Sequence, residues 1–439
     1  MELRPRKRVA FYTLGCKVNQ YDTQAMMEQF LKKDYRVVDF EEDADVYVIN
    51  TCTVTNLGDR KSRQMIHRAH RRNPDAVIAV VGCYAQRASE EVLSIPGVNL
   101  VLGNQERSRI VELVEEVQRT GVPMNRVADI MKVREFEEMP IEDFEGKTRA
   151  VLKIQEGCNQ FCAYCIIPYA RGPVRSRRPE DVQAEVKRLV DKGYQEIVLT
   201  GIHLASYGLD LGEAKLLSLL EDLHDIEGLR RIRLGSLEPT LLTDQFIQVV
   251  KGLPKVCRHY HISLQSGCDE TLRRMNRKYT TAKYREIVHH LRQQIPQVAV
   301  TTDIMVGFPG ETDEEFEKTY RFVEEIAFSK IHVFQYSPRA GTPAAKMKQQ
   351  VPSEKKEYRS KRLIELGETL ERKYLEQFLG TEVEVLFEEE VEASPGWVQG
   401  HSDHYIRVMA PGEKELEGRI LPVFIEEVGQ GYAVGKIAR

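Results

Sequence analysis

The amino-acid sequence predicts an α/β protein in three parts: an N-terminal parallel α/β sheet domain, a central partial (βα)6 barrel and a small OB-like β-barrel at the C-terminus. Three observations predict it. Short apolar runs alternate with amphipathic stretches over residues 8–118, the pattern of strands joined by crossover helices. A second alternation begins at Val151 and gives six βα units, two fewer than a complete eight-unit barrel. Beyond residue 379 the helical period stops, and five short strand-like runs follow with Gly and Pro turns between them, which suits a small β-barrel.

In the first part, strands are expected at 9–14, 46–49 and 76–81, and helices at 23–32 and 59–72. Residues 119–145 carry Gly121, Pro123, Pro140 and an acidic run from Glu135 to Glu138, and read as a linker. Barrel strands are expected at 151–155, 196–200, 230–235, 258–264, 298–306 and 330–336. A helix from near Pro352 to near Leu379 precedes the last part, whose strands are expected at 383–387, 397–399, 405–409, 418–421 and 432–434. The implied boundaries are 6–118, a linker over 119–143, then 144–375 and 376–439.

With 439 residues, 42% hydrophobic and 30% charged, the chain has the make-up of a globular protein of two to four domains. No apolar run approaches the roughly 18 residues of a membrane helix, and the basic N-terminus lacks the apolar region of a signal peptide. No membrane and a cytoplasmic location are therefore expected. A net charge of −4 excludes a broadly basic nucleic-acid binder, so any such role needs a local patch. Arg60, Lys61, Arg63, Arg68, Arg71 and Arg72 fall on one expected helix with His67 and His70, and Arg171, Arg175, Arg177 and Arg178 form a second group. Either group reads equally as a solvated face. The eight cysteines are expected to stay reduced or bind metal.

Cys158-x-x-x-Cys162-x-x-Cys165 stands immediately beyond the first barrel strand. A short loop can wrap three such thiolates around three irons of a cube, leaving the fourth iron open to a bidentate ligand. A zinc site would want a fourth Cys or His at ligand spacing, and none follows nearby. Cys16, Cys52 and Cys83 share no local motif, yet each stands just past the end of an expected strand. In a parallel sheet those ends share one edge, where such folds bind ligands. A second three-cysteine cluster is the natural product, although each cysteine alone reads as a small core hydrophobe. Cys257 and Cys268 match no cluster position.

The Cys158–Cys165 spacing after the first strand of a βα repeat resembles the signature of the radical S-adenosylmethionine superfamily. The longer string through Arg171-Gly172 is similar to that of its methylthiotransferases, as are Gly15-Cys-Lys-Val-Asn19 and Asn50-Thr-Cys52. The resemblance covers nearly the whole chain and implies two [4Fe–4S] clusters, on Cys158, Cys162 and Cys165 and on Cys16, Cys52 and Cys83. It implies two molecules of S-adenosylmethionine per turnover, one a methyl donor and one a radical source. The first cluster would cleave S-adenosylmethionine to a 5′-deoxyadenosyl radical, and the second would carry the sulfide that is methylated and transferred. No catalytic side-chain pair is needed.

By the same resemblance, Thr200, Gly201, Ser236, Glu238, Gln265, Gly307 and Gly310 are candidates to contact S-adenosylmethionine, though a strand-end Gly is also a common turn requirement. The C-terminal barrel looks like a TRAM domain, an RNA-binding module. Its 5 Lys/Arg against 13 Asp/Glu over residues 376–439 weaken backbone attraction. RNA contact there would use a local face with Tyr405, Arg407 or Lys436, and the basic helix is the better electrostatic candidate. Implied partners are tRNA and an electron donor such as flavodoxin or ferredoxin.

Family substrates are adenosine 37 of tRNA bearing an isopentenyl or a threonylcarbamoyl group, or a ribosomal-protein aspartate. The two cysteine strings resemble the threonylcarbamoyladenosine subgroup most. That base brings a carboxylate, for which Arg171 and Arg175 are candidate cations; each also reads as a phosphate contact or a structural ion-pair partner. Two rivals stand beside this reading: a non-catalytic iron–sulfur RNA-binding protein, and a radical enzyme whose second cluster relays electrons.

Overall fold

The computed structural model describes residues 6–144, 148–212, 215–392 and 394–438. Its first sheet has six parallel strands: β1 (Arg8–Thr13), β2 (Arg36–Val38), β3 (Val46–Thr51), β4 (Val77–Gly82), β5 (Val98–Val101) and β6 (Met124–Asn125), in the order β2-β1-β3-β4-β5-β6. Every residue of β3 and β4 is buried, as expected for strands covered on both faces. Alternate side chains serve opposite layers: Ile78 and Val80 pack with Ile66 and Ala69 of helix Asn56–Arg72, while Val77, Ala79 and Val81 pack with helices Lys17–Lys32 and Ile110–Thr120. The first helix begins at Lys17, well before the expected residue 23, because Cys16 in extended conformation already starts it.

The central unit holds β7 (Ala150–Glu156), β8 (Arg175–Ser176), β9 (Glu196–Gly201), β10 (Arg231–Leu234), β11 (His259–His261), β12 (Ala299–Val306) and β13 (Lys330–Gln335). Parallel pairing links β7-β9-β10 and β11-β12-β13, and the bridges Ile232↔Val256 and Leu237↔Ile262 join the two groups. Six parallel strands thus form the expected partial barrel, with β8 an antiparallel two-residue addition to the edge of β7. Tyr21 and Ala25 of helix Lys17–Lys32 sit in the barrel's own apolar core, so the first sheet is docked on it through that helix.

The stretch expected as a linker is packed. β6 lies within it and completes the first sheet, and Met139, Ile141 and Phe144 are buried in the barrel core. Gly, Pro and acidic residues gave it a linker's composition, but Ile130, Met139, Ile141 and Phe144 are buried.

Helix Ser353–Glu376 leads to a closed barrel of β14 (Glu382–Glu390), β15 (Trp397–Ser402), β16 (Arg407–Pro411), β17 (Ile420–Val428) and β18 (Ala433–Ile437), in the order β14-β15-β16-β18-β17. The loop between β15 and β16 reaches the central barrel, where Arg233 donates to the Ser402 and Asp403 carbonyls at 2.9 and 3.2 Å. The strand expected from 405 starts at Arg407, because Tyr405 adopts φ +64°. Among the described residues no helix is long and apolar enough to cross a membrane.

Ile141 is fully buried, so Ile141→Ala is expected to destabilise by about 2–4 kcal/mol. A thermal melt checks this; a change within about 0.5 kcal/mol would mean that residues 119–143 behave as a free linker after all.

Candidate functional site

β1, β3 and β4 are neighbours, so the loops leaving their C-terminal ends share one rim, and these loops carry Cys16, Cys52 and Cys83. Two asparagines tie the rim together. Asn19 donates to the Leu14 and Thr51 carbonyls at 2.6 and 3.0 Å, and Asn50 donates to the Asn19 carbonyl at 2.9 Å and to the Thr23 hydroxyl at 3.0 Å. Glycine is required where the loops turn. Gly82 has φ +92°, and a Cβ there would stand 2.5 Å from Asn50 Oδ1; a Cβ on Gly15, at φ +106°, would stand 3.0 Å from the Cys52 Cβ. Burial pushes the Cys16 thiol up and the Cys52 thiol to about 11, with the neighbouring thiols adding to the shift.

Behind this rim lies a buried ion network that joins the first sheet to the barrel. Asp22, from helix Lys17–Lys32, takes an ion pair from Arg107, one from Lys153 at 2.5 Å and one from Arg171 at 3.1 Å. Arg171 also donates to both Glu156 oxygens at 3.0 Å, to Asn19 Oδ1 and, through Nε, to Cys83 Sγ at 3.1 Å. Burial alone would push Asp22 up, yet Arg107, Lys153 and Arg171 together hold it well below the usual carboxylate range. Burial is likewise overcome at Glu156, which Arg171 and Lys153 bring down to about 2. Among the described residues, the carboxylates that face Arg107, Lys153, Arg171 and nearby Arg175 are Asp22, Glu137 and Glu156. Of these cations it is Arg171 that touches the Cys83 sulfur.

The second triad follows β7. Gly157 has φ +74°, and a Cβ there would stand 1.9 Å from the Pro173 carbonyl oxygen; the Cys158 amide donates to the Gly172 carbonyl at 3.0 Å. The Ala163 amide donates to the Met275 carbonyl at 2.9 Å, and Asn276 donates to the Phe161 carbonyl at 3.1 Å. Burial pushes Cys158 up to about 11 and Cys165 up to about 12. Arg277 donates to Cys162 Sγ at 3.2 Å and holds both Glu238 oxygens at 2.8 and 2.7 Å. Each triad therefore has one guanidinium N–H on one of its sulfurs. Among the described residues no group of three His, Cys, Asp or Glu side chains is arranged to hold a single metal ion.

A cavity of about 1650 Å³ opens between the units, lined by Cys16 from the first sheet, Cys158, Cys162 and Cys165 from the second triad, and Tyr405 and Arg407 from the C-terminal barrel. Thr200, Gly201, Ser236, Glu238 and Gln265 also line it. Gly307 and Gly310 do not: a Cβ on Gly307 would strike the Lys356 side chain, and one on Gly310 would meet Gln349 and Arg274. Arg171 and Arg175 are fully buried and outside the lining, so neither stands as the substrate cation expected of it. Arg171 is consumed by the network, and Arg175 is enclosed against the Pro173 carbonyl.

Arg277, Asn104, His203 and Lys17 escaped the sequence reading. Arg277 is 115 positions from the sulfur it touches, and no local pattern points there. Asn104 follows β5 on the same rim as the first triad and donates to the Ala170 carbonyl at 2.7 Å and toward Cys83 at 3.7 Å; the strand-end rule that found the cysteines could have found it. His203 and Lys17 line the cavity. In the basic helix Arg68 and Arg72 pair with Glu41, and Arg63 with Glu91; Lys436 pairs with Glu426.

The fold and its strand-end thiols define a class first. Residues 152–323 match the Radical SAM superfamily, and residues 8–103 match a family described as Uncharacterized protein family UPF0004. Among solved structures, the radical S-adenosylmethionine methyltransferase TsrM from Kitasatospora setae aligns with a TM-score of 0.58 over 77% of each chain, at 15% identity, a likeness of fold. The threonylcarbamoyladenosine tRNA methylthiotransferase MtaB of Bacillus subtilis is 47% identical over 98% of this chain and 96% of that protein. Its Aquifex aeolicus counterpart is 41% identical over 95% and 100%. A tRNA-2-methylthio-N(6)-dimethylallyladenosine synthase of Moorella thermoacetica is 37% identical over 96% of each. The chain belongs to the radical S-adenosylmethionine methylthiotransferase family.

Removing the Asp22 charge leaves three buried cations short of a partner, so Asp22→Asn is expected to cost about 3–5 kcal/mol at neutral pH. Because the folded Asp22 value is depressed, its contribution is complete above the unfolded carboxylate value of about 3.9 and is lost as the pH falls through the folded one. The gap in melting temperature between wild type and Asp22→Asn should be constant from pH 6 to 8 and shrink below about pH 4. A gap that widens in acid contradicts the network.

Proposed function

We propose that this protein converts N6-threonylcarbamoyladenosine at position 37 of tRNA to its 2-methylthio derivative. The observation that carries the reading is one cavity lined by all three thiols of the second triad and by Cys16 of the first. The substrate follows the relatives of 47% and 41% identity, both named for threonylcarbamoyladenosine.

The residues suit two [4Fe–4S] clusters, one on Cys158, Cys162 and Cys165 and one on Cys16, Cys52 and Cys83. Each set offers three thiols, and each has an arginine N–H on a sulfur, a donor that favours a negatively charged sulfur over a neutral thiol. Bound there, the clusters would supply the electron that cleaves S-adenosylmethionine and the sulfur that is methylated and transferred, using two S-adenosylmethionine molecules per turnover. The protein's own part is positional. Arg277 ties Cys162 to Glu238 and so relates the cluster loop to the barrel mouth. Thr200, Gly201, Ser236 and Gln265 offer the cavity wall on which S-adenosylmethionine would lie. On helix Asn56–Arg72, Arg60, Lys61 and Arg71 have no ion-pair partner among the described residues, and that face suits the RNA backbone. A small electron carrier such as flavodoxin or ferredoxin supplies the reducing equivalents.

Mass spectrometry of tRNA nucleosides from cells lacking the protein should show loss of 2-methylthio-N6-threonylcarbamoyladenosine and accumulation of its unthiolated precursor. Loss of the isopentenyl product instead would reassign the substrate. In the purified, reconstituted protein, Cys16, Cys52 and Cys83 replaced together by Ala should lower iron from about eight to about four per chain; unchanged iron would remove the second cluster.

A further inference from the structure

The proposed substrate base ends in a carboxylate, and neither arginine expected to meet it reaches the cavity. Lys17 does. It directly follows Cys16 at the start of helix Lys17–Lys32, and its side chain lines the cavity. Among the described residues, no carboxylate stands within ion-pair distance of it. Of the cations beside it, Arg233 is matched to Glu196 at 2.7 Å and Arg149 to Glu388 at 3.0 Å. Lys17 is solvent-exposed at the cavity wall, and an anion on whatever fills the cavity would give its ammonium a partner.

Tyr405 supplies an independent observation. Its φ of +64° lies in the left-handed region, which a bulky side chain seldom adopts and which marks functional sites when the surroundings enforce it. They do so here. The ring stacks on His259 at 4.8 Å and on His401 at 4.7 Å, and the Tyr405 amide donates to the Ser402 carbonyl at 3.0 Å. The ring centre lies 6.0 Å from the Lys17 ammonium, and the hydroxyl has no hydrogen-bond partner among the described residues. The C-terminal barrel thus inserts an aromatic donor beside the Lys17 ammonium.

We propose that Lys17 and Tyr405 form the subsite that takes the carboxylate of the amino-acid group on the substrate base, and that it distinguishes this substrate from one with an uncharged isopentenyl group. The inference rests on the threonylcarbamoyl reading above. Because Lys17 is adjacent to Cys16, an anchored carboxylate would hold the base close to the first triad, and the pocket is complete only when the C-terminal barrel is in place.

The test measures binding of a synthetic anticodon stem-loop RNA to the reconstituted full-length protein. One RNA carries N6-threonylcarbamoyladenosine; the other carries the same group with its carboxylate converted to the carboxamide. Wild type should bind the acid about 10- to 100-fold tighter. Lys17→Met should lose that preference by weakening the acid alone, and Lys17→Arg should retain it. Iron per chain is counted for each variant. Equal binding of acid and amide by wild type overturns the subsite, as does a Lys17→Met protein that still prefers the acid. A Lys17→Met protein that loses iron also overturns it, by making Lys17 part of the thiol rim. Wild type that binds either RNA but never methylthiolates the acid form would instead overturn the substrate reading, so the two failures are distinguishable.

Discussion

The buried ion network around Asp22 is the constraint on which the rest of the structure depends. Its members come from helix Lys17–Lys32, the segment after β5, strand β7 and the short helix Ile167–Arg171, and all are nearly or wholly excluded from solvent. Such a network adds little net stability over an apolar seam, but removing one member leaves uncompensated charge. Its effect here is positional. Asp22 meets Arg107, Lys153 and Arg171 together in one docking of the first sheet on the barrel, and in that docking Arg171 also reaches Asn19 and Cys83. The seam that fixes the two units is therefore continuous with the rim that carries the first triad.

From this docking the site follows. Parallel sheets present the C-terminal ends of their strands on one edge, and both sheets direct that edge at the same space. Thiols placed after β1, β3 and β4 converge, and the loop after β7 brings the other three. Arg339 reinforces the arrangement from the far side of the barrel: it donates to Thr53 Oγ1 at 2.6 Å and to Asp59 at 2.6 Å, clasping the loop that follows Cys52. The C-terminal barrel closes the remaining side with the Tyr405 loop.

Much of this was legible in the sequence, for reasons that can be named. Cys158, Cys162 and Cys165 form a local motif. Cys16, Cys52 and Cys83 are far apart but obey the strand-end rule of parallel sheets. The six-strand barrel and the small closed barrel were visible as changes in hydrophobic period. Short elements were not: β2 and β6 are three and two residues long, too short to show a period, and β6 sat in a stretch whose Gly, Pro and acidic residues imitate a linker. Arg171 shows the limit for side chains. Its place after the cluster motif left a substrate cation, a phosphate contact and a structural ion-pair partner all open, and its neighbours in space, carboxylates from positions 22 and 156, make it the last. Lys17 was in plain view inside a quoted motif, but its lack of a partner is a property of the folded cavity alone.

Iron-edge anomalous diffraction from crystals of the reconstituted full-length protein addresses the central claim most directly, that two thiol triads serve one cavity. Two iron sites are expected, one at Cys16, Cys52 and Cys83 and the other at Cys158, Cys162 and Cys165, facing each other across that space. A single iron site, or two sites that open on separate surfaces, would contradict it.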